Sequence, residues 1–234
     1  MSALTFDSSY ENNLKRIEEK SFTEQEIFIV SELLKDSLIY TAALKELQTK
    51  IEILREDYRR NNAYNPIEHI KTRIKQPSSI LRKIYTRGWP LDIETIQENM
   101  SDIAGIRIVC TFKKDIYEIS RIIQDAMEIE VVQIKDYIAN PKPSGYQSLH
   151  MIVNVPVYFI DGKKKCKVEI QLRTMAMDFW ASLEHKIKYK YNSKIPEDIE
   201  EELRNSAYVC GILDDTMQQL HMKVHNPNEN NILE

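Results

Sequence analysis

Glu169, Gln171 and Arg173 stand at alternate positions of the segment Val168-Glu169-Ile170-Gln171-Leu172-Arg173. An extended chain turns alternate side chains to one face, so a carboxylate, an amide and a guanidinium share a polar face while Val168, Ile170 and Leu172 turn to the core. A second stretch, from Lys135 to His150, holds a turn rich in Asn, Pro, Ser and Gly with Lys142 inside it, then an exposed aromatic, Tyr146, and His150 at the start of a strand. Cations, an aromatic and a carboxylate gathered in this way suit a nucleotide and its phosphates. Tyr146 could stack on a purine while Lys142 meets the phosphates, although a single aromatic at such a place more often only packs.

A third stretch places His69, Lys71, Arg73 and Lys75 on one face of a strand, and the turn Gln76-Pro77-Ser78-Ser79 then opens a helix bearing Arg82 and Lys83. A helix N-terminus adds free amides and a positive dipole end, which favours a polyphosphate. The same pattern also suits a solvated edge strand followed by an ordinary basic helix. Asp102 leads through Gly105 into a strand on which Arg107 faces opposite to Ile106 and Ile108. A lone Asp there is usually a cap or turn residue. If its strand adjoins that of Glu169, the two carboxylates can share a Mg²⁺, because a hard cation on phosphates needs only one or two protein carboxylates. His185 and His221 lie in helical patterns and are read as structural, and neither a P-loop nor a His-Asp dipeptide is present.

The elements that must position these groups follow from periodicity. Between Thr23 and Tyr58 no Gly or Pro occurs, and Leu33, Ser37, Tyr40, Leu44, Leu47, Ile51, Leu54 and Tyr58 recur at spacings of three and four, which predicts a long amphipathic helix broken near Asp36. After Pro196, the stripe Ile199, Leu203, Ser206, Cys210, Leu213, Met217, Leu220 and Val224 predicts a second long helix. The two could pack together or against another subunit. Between them the period changes to two, giving strands over roughly 67–75, 105–112, 129–138, 148–158 and 165–173. Helical patterns at 78–85, 93–100, 114–127 and 175–189 separate them, the last with Trp180, Leu183 and Ile187 on one face. The tail from Asn226 is expected to fray.

At 234 residues with 42% hydrophobic content, the chain suits one catalytic domain with helical extensions. A net charge of −4 argues against a nucleic-acid binder relying on bulk positive charge and favours small anionic ligands. Cys110, Cys166 and Cys210 form no Cys-x-x-Cys pair and are read as buried thiols. The N-terminus lacks a basic stretch followed by an apolar core, and no apolar run approaches the roughly 18 residues of a membrane span, so a cytoplasmic location is expected.

Taken in order, Arg73-Ile74-Lys75 with Ser79 and Lys83, Asp102-Ile103-Ala104-Gly105-Ile106-Arg107, Tyr146-Gln147-Ser148-Leu149-His150 and Glu169-Ile170-Gln171-Leu172-Arg173-Thr174 resemble the synthetase domain of the RelA/SpoT family, with a length like that of the stand-alone small alarmone synthetases. The resemblance runs from about Pro66 to Tyr191 and implies an α/β fold of the α+β kind, a mixed five-stranded sheet of nucleotidyltransferase-like type flanked by helices. It implies a catalytic domain over 63–191, between helical extensions at 1–62 and 192–234, the latter oligomerising. The implied reaction moves the β,γ-pyrophosphate of ATP to the 3′-hydroxyl of GDP or GTP, giving AMP and ppGpp or pppGpp in the stringent response. A nucleotidyltransferase attacking the α-phosphorus and a non-catalytic nucleotide sensor are the alternatives.

By the same resemblance, Arg73 and Arg107 flank the adenine, Lys75, Ser79 and Lys83 hold the ATP phosphates, Asp102 and Glu169 bind Mg²⁺, and Glu169 activates the acceptor hydroxyl. Tyr146 stacks on guanine, and Lys135, Lys142, His150, Gln171, Ala176 and Asp178 line the acceptor site. The chain departs from the family pattern where Gln133 replaces Arg in Gln133-Ile134-Lys135-Asp136, where Ser144 replaces Asn, and where Asp178 replaces the Asn of some small synthetases. An Asp there could still accept hydrogen bonds from guanine. These departures leave the choice between GDP and GTP open. Asp178-Phe179-Trp180 hints at the RelP-like subgroup, a homotetramer is implied, and no hydrolase domain is expected within this length.

Overall fold

The computed structural model describes residues 22–35, 37–61, 64–189 and 195–225. Helices α1 (Glu24–Lys35) and α2 (Ser37–Asn61) precede β1 (Ile67–Ile74), α3 (Pro77–Arg87), α4 (Ile93–Asn99) and β2 (Ala104–Cys110). Then follow α5 (Lys113–Ala126), β3 (Glu130–Asp136), β4 (Leu149–Phe159), β5 (Gly162–Thr174), α6 (Met175–Tyr189) and α7 (Glu197–His225). Asp36, the expected break, and the tail from Asn226 lie outside the described residues.

The five strands form one mixed sheet in the order β1-β2-β5-β4-β3, in which β2 and β5 run parallel and the other neighbours antiparallel. Register fixes the faces. Gly105 pairs with Glu169, Arg107 with Gln171 and Val109 with Arg173, and on the other side of β5 His150 pairs with Gln171. Lys71 pairs with Arg107 and Arg73 with Gly105 at one edge, and Lys135 with His150 at the other, so every residue of this set projects from the same face.

The opposite face is the core. Ile106, Ile108, Val168, Ile170, Met151 and Val153 are fully or almost fully buried there, under Leu47 and Ile51 of α2 and Ile116, Ile119 and Ile123 of α5. The segment read as an N-terminal extension therefore supplies part of the sheet's own core through α2. A smaller cluster joins α1, α3 and α4 through Val30, Leu33, Ile80, Ile84 and Ile96, which steadies the turn into α3.

At the C-terminal end, α7 packs on α6 and α5 through Leu203 and Ala207 against Trp180 and Ala181, with Tyr146 wedged beside them. Only the first part of its apolar stripe is covered. Ile199 and Cys210 are half-buried, whereas Leu213, Met217, Leu220 and Val224 are at least half exposed. Leu183 and Ile187 of α6 are likewise exposed while Trp180 is buried. Cys110 and Cys166 are buried thiols as expected; Cys210 is only half-buried. No helix among the described residues is long and apolar enough to cross a membrane.

Candidate active site

Asp102 lies just before β2 and is held on both oxygens, by Lys75 Nζ at 3.0 Å and Lys83 Nζ at 2.8 Å. Each cation is placed by backbone: the Lys75 amide donates to the Ile103 carbonyl at 2.7 Å, and Lys83 rides on α3, which begins with Pro77 at its first turn. Burial alone would raise the Asp102 carboxyl, but the hydrogen bonds and charges of Lys83 and Lys75 outweigh it and hold the group below the ordinary carboxylate range. Ser79 stands in the first turn of α3, its amide bonded to the Gln76 carbonyl at 2.8 Å.

Glu169 lies on β5 beside Gly105 of β2. Its Oε1 is 3.2 Å from His150 Nδ1, and its Oε2 accepts from the Gln171 side-chain amide at 2.8 Å. Here too burial pushes upward, and the bonds from His150 and Gln171 prevail, while the nearby negative charge of Asp102 works against them. The pairing of β2 with β5, which the strand pattern alone left conditional, sets Glu169 opposite Gly105, three residues beyond Asp102. Arg73 and Arg107 line one groove with Lys71, Gln171 and Gly105, where an added Cβ would lie 3.5 Å from Arg73 Nε.

The residues expected to line the acceptor site also lie close together. Tyr146 Oη lies 2.8 Å from His150 Nε2, and Lys142 Nζ sits over two rings, 4.5 Å from the centre of Tyr137 and 4.7 Å from that of Tyr146. Burial between these rings lowers the Lys142 pKa, and Glu169 works in the opposite direction. Tyr146, expected to be exposed, is instead half-buried, because α7 packs against the turn that carries it. Lys135 is exposed on edge strand β3, and Ala176 is half-buried in the first turn of α6.

Asp178 does not present a free carboxylate. It is buried, and its Oδ1 lies 2.9 Å from Arg107 Nη1 and 3.1 Å from Arg173 Nη1. This pairing connects the groove lined by Arg107 with Arg173 and, through it, Tyr146. Arg173, read from the sequence as sharing the polar face of Glu169 and Gln171 but given no role of its own, is brought by the fold against Asp178.

Asp102 and Glu169 offer the hard oxygen donors that suit Mg²⁺, and among the described residues no group of three or more His, Cys, Asp or Glu side chains is placed to hold a metal ion. A pair of carboxylates fits a cation whose remaining ligands are phosphate oxygens and water.

Comparison with known proteins identifies the family. Residues 72–194 match the family model described as a region found in RelA / SpoT proteins. The chain is 42% identical over 187 residues to the GTP pyrophosphokinase YwaC of Bacillus subtilis, spanning 80% of this chain and 89% of that protein. It is 39% identical over 186 residues to the GTP pyrophosphokinase YjbM of the same organism, spanning 79% and 86%. The crystal structure of small alarmone synthetase 1 from Bacillus subtilis bound to its product pppGpp superposes with a TM-score of 0.74 at 38% identity, over 79% of this chain and 94% of that one. By sequence and by fold alike, the chain belongs to the RelA/SpoT family, among its small alarmone synthetases.

Proposed function

We propose that this chain is a GTP pyrophosphokinase that moves the β,γ-pyrophosphate of ATP to the 3′-hydroxyl of GDP or GTP, releasing AMP. The observation that carries this reading is the placing of Glu169 between two differently equipped halves of one sheet face. On one side lie Arg73, Arg107, Lys75 and Lys83; on the other lie Tyr146, His150 and Lys142. A donor and an acceptor nucleotide bound to these halves meet at the carboxylate.

Arg73 and Arg107 flank the adenine with planar guanidinium groups, and Lys75, Lys83 and the α3 N-terminus with Ser79 neutralise the triphosphate. Tyr146 stacks on the guanine, while Lys135, Lys142, His150 and Gln171 line the acceptor, with Ala176 and Asp178 bounding it from α6. Glu169 takes the proton from the 3′-hydroxyl. The oxygen then bonds to the β-phosphorus, the bond from that phosphorus to the bridging α–β oxygen breaks, and AMP leaves. An ionised carboxylate has about four lone-pair sites, so the two hydrogen bonds to Glu169 leave capacity to accept this proton. Mg²⁺ held by Asp102 and Glu169 would offset charge on the transferred phosphates. The exposed apolar part of α7 is the face that a neighbouring chain would cover in a homotetramer, and the protein is read as cytoplasmic.

Chromatography of ATP incubated with GDP or GTP and Mg²⁺ tests the reading. AMP formed in equal amount with a guanosine tetra- or pentaphosphate supports it; inorganic pyrophosphate without AMP contradicts it.

A further inference from the structure

Five side chains, Glu169 among them, close into one polar circuit of four hydrogen bonds and one ion-pair contact. Arg173 Nη2 donates to Tyr146 Oη at 2.7 Å and to Gln171 Oε1 at 3.1 Å. From Tyr146 the circuit passes to His150 Nε2 at 2.8 Å, and from His150 Nδ1 to Glu169 Oε1 at 3.2 Å. From Gln171 it returns through the amide Nε2 to Glu169 Oε2 at 2.8 Å. Both arms begin at the guanidinium and end at the carboxylate.

The direction of each bond follows from what its ends can do. Arginine has only donors and an ionised carboxylate only acceptors. Gln171 accepts from Arg173 through its carbonyl oxygen and must therefore offer its NH₂ to Glu169, which removes the ambiguity of an amide flip. Tyr146 Oη accepts from Arg173, leaving its single proton for His150 Nε2. A neutral His150 then carries its hydrogen on Nδ1, pointing at Glu169; the other tautomer would set an imidazole lone pair against a carboxylate oxygen. Arg173 itself is only 4% exposed and is held by Asp178, so its orientation is fixed by burial and an ion pair.

We infer that Arg173 is a positioning residue that fixes the His150 tautomer and the Gln171 amide orientation, and through them the direction in which Glu169 faces the acceptor hydroxyl. The guanidinium never needs to touch either nucleotide. Its kinetic consequence rests on the role of Glu169 proposed above, whereas the tautomer is a property of the nucleotide-free protein.

The test combines ¹⁵N-histidine NMR of the nucleotide-free protein with steady-state kinetics. His150, assigned by its disappearance in His150→Gln, should carry its proton on Nδ1. Arg173→Met should weaken that preference, leaving Glu169 alone to sustain it, and lower kcat about 10- to 100-fold, with less than about a threefold change in KM for ATP. Arg173→Lys, which keeps a charged donor, should retain more of both. Because Arg173 is buried, Tyr146→Phe gives an independent check: it deletes one hydroxyl and should release the tautomer without unfolding the chain. An Nε2–H tautomer in the unaltered protein, or an Nδ1–H population that is undiminished in both Arg173→Met and Tyr146→Phe, overturns the inference. A protein that fails to form AMP but shows these tautomers refutes the assigned reaction and not the circuit.

Discussion

Gly145 approaches Ala207 of α7 so closely that a Cβ added to the glycine would lie 2.6 Å from the alanine Cβ. Its φ of +88° is also one that side chains disfavour. The turn bearing Lys142 and Tyr146 is thus seated directly on α7. Gly145→Ala or Ala207→Leu should push this turn away from the sheet and raise KM for GDP about tenfold or more, because small displacements of binding groups weigh heavily on productive geometry. KM for ATP should change little, and initial-rate kinetics with each substrate varied in turn would check it; equal effects on both would contradict the seating argument.

Glu169→Gln keeps the shape of the side chain but removes its charge and its ability to take a proton. Turnover should fall by about 10²- to 10⁴-fold, the usual worth of a general base. Calorimetric affinity for ATP should stay within a few-fold of the parent value, since Lys75, Lys83, Arg73 and Arg107 remain. A large loss of ATP affinity would move Glu169 from the chemical step to nucleotide binding.

Paired substitutions separate the two nucleotide halves. Arg73→Ala should weaken ATP binding by about 3- to 30-fold, the range of one cation–π contact, and leave GDP nearly unaffected. Tyr146→Ala should do the reverse. Equilibrium binding of each nucleotide to each variant checks the pattern, and a loss of both ligands in either variant would contradict it.

Asp214 of α7 is buried and accepts a hydrogen bond from Thr174 Oγ1 at 2.6 Å. Burial pushes its carboxyl above the ordinary range, against the opposing pull of Thr174 and Lys113. The folded chain therefore binds this proton more tightly than the unfolded chain, and stability falls as pH rises from the ordinary carboxylate range through the raised value. Asp214→Asn, which cannot ionise, should melt a few degrees higher than the parent at pH 7, with the advantage vanishing below about pH 3.5. Thermal melts at the two pH values check this; a lower melting temperature for Asn at pH 7 would contradict it.

The alternation of apolar and polar residues made the strands and their working face legible, because core and solvent impose opposite demands on successive side chains. It could not show that β5 lies parallel beside β2, since that pairing joins segments distant in sequence. The meeting of Asp102 and Glu169 stood as a condition for that reason. Asp178 is a different case: its carboxylate looked available to a ligand, yet the fold brings Arg107 and Arg173 against it. Lys142 was readable as a phosphate contact but not as a cation lodged between Tyr137 and Tyr146. The stripe of α7 carried a helical period correctly, but a period does not tell whether a face is covered by its own chain.

The most direct test of the central claim follows the label from ATP carrying isotopic phosphorus at the β position, incubated with GDP. Transfer to the 3′ position of a guanosine tetraphosphate, with unlabelled AMP as co-product, is the predicted result. Label recovered as inorganic pyrophosphate, with the α-phosphorus joined to the acceptor, would contradict it.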